Sequence, residues 1–532
     1  MQQYDDGDEL TRGLSLESYG DSNYTSTDDD DSAAFLLSRQ SSRQRFHPIL
    51  FLKNIASLSH WRRYKKNLVR RVKRRSRGPG GQSTWLRGIQ LCFCGLICCL
   101  FAITIVVGAF FPAYTRLPKH YKALQARVND GWKTGSGNIN NEKVFIAASI
   151  FDPNGKLASG DWARNVLQLI GILGPENVYL SIYENDAGPL ASHALAALKT
   201  HVPCNHTLVS DPHLDLDELP HVVLHDGTRR VKRIEYLAEV RNRALKPLDD
   251  AQTRFDKLLY LNDVMFKPID AAQLLFSTNV NADGQTQYRS ACAVDFINPF
   301  KFYDTFATRD LDGFSMGVPF FPWFPAIGGD STLDDVLSDS DAVRVRSCWG
   351  GMAAFDARFF QNWDGEAQSI RTAANESPSN LTAPYHFRAE TDLWWDASEC
   401  CLIQADIQSP DVRNPGIYMN PYVRVAYDSR TLSWLWLARR FEKLYTPIHF
   451  IADLLVNLPD FNSRRDEVMW QPVDEIVWVD DGSGTGQGEW RNVARMAKHD
   501  GFCGRRGLQV IKERTEDGEK NWEHIDPPPY VV

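Results

Sequence analysis

The chain has 532 residues, 43% hydrophobic, 11% aromatic and 24% charged, the proportions of an ordinary globular protein rather than a disordered or fibrous one. A formal net charge of −8 argues against nucleic-acid binding by the folded part. Leaving out a polar tail and one apolar segment, roughly 420 residues remain, enough for one large or two ordinary domains.

Residues 1–48 are rich in Asp, Ser and Arg, with an acidic run from Asp28 to Asp31, and have too little apolar surface to fold. They are expected to form a disordered tail. Between Arg62 and Arg87 stand eleven Lys or Arg and no acid. Beside an apolar segment such a run reads as a topogenic, anionic-lipid-binding element rather than a nucleic-acid patch. That segment, Leu91 to Phe111, has no charged side chain. As a helix rising about 1.5 Å per residue it is about 30 Å long, the thickness of a bilayer's hydrocarbon core. The positive-inside rule then predicts residues 1–88 in the cytosol, a signal anchor over 89–111 and the rest in a lumen, a single-pass type II arrangement. A cleaved signal peptide would have a shorter apolar core near residue 1.

Four of the ten cysteines (Cys92, Cys94, Cys98, Cys99) lie in the apolar segment, as plain apolar residues or acylation sites. The other six (Cys204, Cys292, Cys348, Cys400, Cys401, Cys503) suggest disulfides in an oxidising compartment, with fifteen pairings open. No CxxC spacing surrounds Cys400-Cys401, which disfavours zinc. Sequons at Asn205, Asn375 and Asn380 predict N-glycosylation in transit through the endoplasmic reticulum, Asn375 being the weaker acceptor because Pro378 follows Ser377.

Residues 112–142 read as a stem, ending in the polar KTGSGNINNEK, and a catalytic domain is expected over 143–470. Near-continuous apolar runs predict buried strands at 144–152, 178–186, 206–211, 257–266 and 288–296. Helices are predicted between them: DWARNVLQLIGILG, capped by Asp161 and ended by glycine, then ASHALAALKTH, IEYLAEVRNRALKPL and AAQLLFS. This alternation predicts an α/β domain with a mostly parallel sheet and ligands at the carboxyl ends of its strands. Beyond residue 297 come the aromatic loop DGFSMGVPFFPWFPAIGGD and an apolar helix at 431–457 expected to pack. The Gly-rich, then charged stretch 471–532 reads as a partly disordered extension anchored near Cys503.

Acids end three strands: Asp152, then Glu184 and Asp186, then Asp263 in YLNDVMF. A carboxylate delivered by an apolar strand can hold a divalent cation against a diphosphate, although an acid there also serves simply to cap a turn or helix. Arg241 and Asn242 follow the cluster Arg229, Arg230, Lys232, Arg233, which suits phosphate or a solvated helix face. In RSCWGGMAAFD, Gly350 and Gly351 permit close backbone approach to a ligand and Trp349 offers a sugar-stacking face, or the motif is a tight turn. Glu390, Asp392, Asp396, Glu399 and Asp406 crowd among aromatics in FRAETDLWWDASECCLIQADI, as in a sugar site or on an acidic helix face. GxSxG, HExxH, Walker and GxGxxG signatures are absent.

Taken together, SIYEND, IEYLAEVRNRAL, LLYLNDVMF, ACAVDFINPFKFYDTFATRDLDG, SCWGGMAAFDA, SECCLIQADI and NPYVRVAYD resemble the fungal capsule-associated mannosyltransferases, glycosyltransferase family sixty-nine, over residues 143 to 430. The resemblance implies a GT-A-like nucleotide-sugar fold in a Golgi membrane protein. It implies retaining α-1,3-mannosyl transfer from GDP-mannose to an oligosaccharide or polysaccharide acceptor, with Mn2+ or Mg2+, and membership of a Golgi transferase complex. On that model Asp263 binds the metal, but Leu261, Val264 and Met265 leave no second carboxylate for a strict DxD. Glu184, Asp186, Arg241, Asn242, Trp349, Gly350 and Gly351 would meet the donor. Asp295, Asp304, Arg309 and Asp310 would line the acceptor side. Glu399 would be the catalytic carboxylate, as nucleophile or as stabiliser of an oxocarbenium-like centre. The rival readings are a non-catalytic assembly or export factor retaining the fold, and a transferase of another nucleotide sugar.

Overall fold

The computed structural model describes residues 82–130, 134–212, 214–249, 252–316, 324, 331–361, 383–456, 462–512 and 520–529. The expected tail, the basic run, the sequons Asn375 and Asn380 and most of the aromatic loop lie outside these residues. The described residues divide into two compact units, residues 82–106 and residues 107 onward. In the first, the described residues form one helix, α1 (Gln82–Phe110), whose last turn belongs to the second. Its stretch Leu91–Phe110 is long and apolar enough to cross a membrane, and its side chains are almost all exposed.

In the second unit the chain runs through α2 (Lys119–Asp130), β1 (Val144–Ile150), α3 (Lys156–Ser159), α4 (Asp161–Leu173), β2 (Val178–Glu184), α5 (Pro189–Lys199) and β3 (Asn205–Ser210). A small hairpin, β4 (His221–Val223) and β5 (Arg229–Val231), leads to α6 (Arg233–Leu245), β6 (Lys257–Leu261), α7 (Pro268–Ser277), β7 (Ser290–Asn298) and β8 (Lys301–Phe302). There follow α8 (Ser331–Leu337), β9 (Val343–Arg344), β10 (Met352–Asp356), β11 (Trp395–Ala397), α9 (Glu399–Ile407), β12 (Ile417–Ala426), α10 (Ser429–Ala438) and α11 (Tyr445–Val456). The C-terminal strands are β13 (Pro472–Asp480), β14 (Gly488–Met496), β15 (Gly504–Arg506), β16 (Leu508–Ile511) and β17 (Trp522–Ile525).

The central sheet runs β3-β2-β1-β6-β10-β7-β12-β9, with β8 on β7. β1, β2, β3 and β6 are mutually parallel, and β12 is parallel to β7. β10 is antiparallel to both β6 and β7, so the two parallel groups share one carboxyl edge. The period of two along β1 shows why a continuous apolar run is needed. Val144, Ile146 and Ala148 join the core under α4 and α7, while Phe145 and Ala147 join the core under α6.

Three expectations need correction. Asp161 is the first residue of α4, not its cap: the cap is Gly160, and the Asp161 carboxylate pairs with Arg164. Gly174 does end the helix, at φ 89°. Residues 112–130 are not a free stem, because Tyr114 and Tyr121 are buried in the fold. The Tyr114 hydroxyl donates to Val336 O at 2.8 Å, and Asn420 Nδ2 donates to the Tyr121 hydroxyl at 2.6 Å. Over the described part of 471–532 the chain is strand, not disorder: β13 pairs with β14, β15 with β11, and β16 with β17. The disulfide Cys401–Cys503 fastens this region to α9, and Cys292–Cys348 joins β7 to the turn before β10. Cys204 and Cys400 form no disulfide, and the Cys400 thiol donates to Glu399 Oε1 at 3.4 Å.

Candidate active site

At the carboxyl end of β6 the chain leaves the sheet through Asn262 and Asp263, both buried. Asn262 is held from every side. Its N–H donates to Gly351 O at 2.9 Å, and its backbone O accepts from Trp162 Nε1 at 3.0 Å. Its side-chain Oδ1 accepts from Arg241 Nη1 at 3.1 Å and from Trp349 Nε1 at 3.2 Å. Arg241, from α6, also donates through Nε to Glu399 Oε1 at 2.9 Å, with both side chains 3% exposed. Its guanidinium lies 4.6 Å from the centre of the Trp349 ring and 5.3 Å from that of Tyr260. Glu399 opens α9 behind the cap Ser398, whose Oγ accepts from Cys400 N at 3.2 Å. A continuous chain Glu399–Arg241–Asn262 thus ends beside Asp263 at the middle of the sheet.

Two strands away, Glu184 ends β2 with no solvent exposure, and neither carboxylate oxygen has a hydrogen-bond partner. Burial pushes its carboxyl up to about 7, with the nearby Asp152 charge adding to the shift. Asp152 itself is committed: Oδ2 accepts from Leu157 N at 2.8 Å and Ala158 N at 3.0 Å, capping α3. Asp186, at φ 62°, accepts from Asn185 Nδ2 at 2.9 Å. A buried carboxylate with both oxygens unmatched is costly unless protonated or met by a ligand's donors.

Other residues singled out from the sequence are structural here. Trp349 is 2% exposed beneath Arg241 and offers no sugar face. Gly350 and Gly351, at φ 59° and 65°, bring the backbone against Ala293 O and the Val264 side chain, where a Cβ would clash. Asn242 uses both ends of its amide on the Phe387 backbone, at 2.9 and 2.8 Å. Arg309 is not at an acceptor surface: it donates to the backbone carbonyls of Thr305, Phe306, Thr308, Phe502 and Cys503. Burial lowers its guanidinium to about 10. Asp304 accepts from Trp349 N at 2.9 Å, Gly350 N at 3.2 Å, Ala307 N at 3.0 Å and Thr308 Oγ1 at 3.1 Å, and desolvation still holds its carboxyl above the usual range.

Asp295 receives Asp304 N and the Tyr427 hydroxyl, each at 3.2 Å. Asp310 closes a turn on Phe314 N at 2.7 Å, and burial raises its carboxyl to about 7. Arg230, Lys232 and Arg233 brace the C-terminal strands and the Glu390–Asp392 loop instead of forming a phosphate patch. Glu390 pairs with Lys498 at 2.6 Å and Asp406 with Arg388 at 2.8 Å. Asn205 stands exposed at the start of the edge strand β3. Asn262 and Tyr260 are the residues that sequence reasoning passed over; the "ND" ending β6 was the available signal.

Among the described residues no three His, Cys, Asp or Glu side chains gather as a metal cage. One carboxylate, Asp263, stands at the edge's centre. That suits a cation held mainly by phosphate oxygens and water, as Mg2+ usually is, and not an all-protein site.

A mostly parallel α/β sheet with acids gathered at one carboxyl edge fits the class of glycosyltransferases, and the sequence comparison assigns the chain to it. Over residues 143–406 the chain matches the sequence profile of the family described as Cryptococcal mannosyltransferase 1. No curated protein matches the sequence. Among solved structures, the mannosyltransferase PcManGT from Pyrobaculum calidifontis, in complex with GDP-Man and Mn2+, aligns with 10% identity over 67% of this chain and 84% of that one, TM-score 0.30. Mannosyl-3-phosphoglycerate synthase from Rubrobacter xylanophilus aligns with 12% identity over 73% and 93%, TM-score 0.29.

Proposed function

We propose that this glycosyltransferase moves mannose from GDP-mannose to a mannoside acceptor, in α-1,3 linkage with retention, with Mn2+ or Mg2+ held at Asp263. The observation that carries the donor assignment is Glu184, a buried carboxylate with two unmatched oxygens at the carboxyl edge of β2. A guanine presents two parallel N–H donors that a carboxylate can accept in bidentate fashion; uracil lacks that pair. Asp186 lies next along the chain for the ribose. When bound, the cation would neutralise charge gathering on the departing diphosphate.

The protein's own part is orientation and electrostatics. Arg241 fixes Glu399 in one rotamer and ties it to Asn262, so that Asp263 and Glu399 are positioned from the same scaffold. Glu399 supplies negative charge for an oxocarbenium-like centre. The match to a mannosyltransferase family's profile supports the sugar. We further read α1 as a single-pass anchor in the Golgi membrane with the catalytic unit lumenal, supported by its apolar length and by the basic flank before it.

The test is thermal stabilisation of the full chain in micelles, since a ligand bound only by the folded state raises the melting temperature. GDP and GDP-mannose should stabilise it, UDP should not, and Glu184→Gln should abolish the difference. Stabilisation by UDP alone would overturn the donor assignment.

A further inference from the structure

Helix α11 is inside out. Its polar residues His449 and Asp453 are buried and paired at 3.1 Å, and His449 Nε2 also lies 3.1 Å from Met316 O. Its apolar residues face outward: Ile448, Phe450, Ile451, Leu454 and Leu455 are 54–73% exposed. A helix packed on a water-soluble domain shows the reverse pattern. The same inversion extends back through α10, where Leu435 and Ala438 are buried while Trp434 and Trp436 are 49% and 60% exposed. The link between the two helices turns its charges inward as well. Glu442 is buried against Arg424 at 2.8 Å, and Arg439 donates to Tyr114 O at 3.1 Å. Seven large apolar side chains thus share one short segment, beyond the usual scatter of single exposed residues.

The place of this segment identifies what covers it. Arg440 Nε donates to Gly108 O at 3.2 Å, and the Phe441 ring packs on Gly108 so closely that a Cβ there would overlap it. Gly108 lies in the last turn of α1, at the end of the apolar stretch, and belongs to the same compact unit as α10 and α11. Phe110 and Phe111, just after Gly108, are exposed as well. Exposed tryptophans followed along the chain by exposed Phe, Ile and Leu are the composition of an element lying in a bilayer's interface.

We propose that residues 429–456 form a second membrane contact, an in-plane element whose apolar face enters the leaflet where α1 ends and holds the catalytic unit against the lipid surface. This rests on the reading of α1 as a membrane span. The catalytic unit would then act on acceptors presented close to the membrane.

The experiment uses the full chain in phosphatidylcholine nanodiscs, with benzoylphenylalanine placed at one of four positions: 450, 454, 100 in α1, or 190 in α5. Leu190 is a 65% exposed control outside the segment. All four side chains are exposed, so the probe displaces no core packing. After irradiation, mass spectrometry should find lipid adducts at 100, 450 and 454 and none at 190. Adducts at 100 without any at 450 and 454 would overturn the proposal and leave the span standing. Cross-links from 450 or 454 to a second polypeptide would overturn it in favour of a protein partner. Absence of adducts at 100 would remove the span itself, and the proposal with it.

Discussion

Arg241 and Glu399 stand 158 positions apart in the sequence and 2.9 Å apart in the fold, each 3% exposed. Such a pair is a poor source of stability but a costly one to break, because the survivor is left charged and buried. Arg241→Met should therefore destabilise the full chain by about 3–5 kcal/mol in denaturant unfolding. The double variant Arg241→Met/Glu399→Leu should recover most of that loss. If the double variant is as unstable as the single one, the pair is not what holds the two helices in register.

Glu399→Gln separates the pair's architecture from its charge. The amide still accepts from Arg241 but leaves its buried guanidinium without a counter-charge. The variant should therefore lose stability yet fold and still be stabilised by GDP, while transfer falls at least about a hundredfold, within the range found when one preorganised electrostatic group is removed. Unaltered transfer would take Glu399 out of the chemistry.

Glu184 makes stability and binding depend on pH in opposite senses. Its carboxyl lies near 7 in the folded chain against an ordinary 4.5. Between those values the folded state holds more protons than the unfolded one, so stability falls as pH rises through that window and levels off above it. Donor binding needs the ionised form, so GDP affinity should rise from pH 6 to 8. Glu184→Gln should flatten both profiles, as melting curves and titrations across that range would show. A GDP affinity that does not change with pH in the wild-type chain would separate Glu184 from the base.

The C-terminal strands depend on their covalent tie. Non-reducing peptide mapping should recover Cys292–Cys348 and Cys401–Cys503, with Cys204 and Cys400 in no disulfide. Paired Cys401→Ala and Cys503→Ala changes open a tie spanning 102 residues. In the chain-entropy account this should cost about 4–5 kcal/mol. A much smaller loss would mean that β15 and β16 hold by packing alone.

The strands of the sheet were legible because burial on both faces demands unbroken apolar runs, as in VFIAASI. The acids at their ends were legible for the same reason, since each interrupts such a run at the carboxyl edge. The partners of a charge were not. Arg309 and Asn242 look like ligand contacts in one dimension, and only the fold shows backbone carbonyls and an amide already occupying them. Trp349 looked like a sugar platform in the same way, and the two glycines show why composition is ambiguous, because close packing within the fold has the same composition as a close approach to a ligand. The hairpin β13–β14 was hidden because its strands are only half-buried and its turn is Gly-rich. The apolar stretch expected as one helix over 431–457 is two, α10 and α11, joined by a 3-10 link over Arg439–Leu444, and its facing was not legible, since hydropathy does not say which side meets the protein.

The most direct measurement is mannose transfer by the full chain from GDP-mannose to a short α-mannoside with Mn2+, alongside Asp263→Ala and a chelator control. The account predicts a mannoside product that disappears in both controls while the variant keeps its fold. Product formation undiminished in Asp263→Ala, or no product together with no stabilisation by GDP, would contradict it.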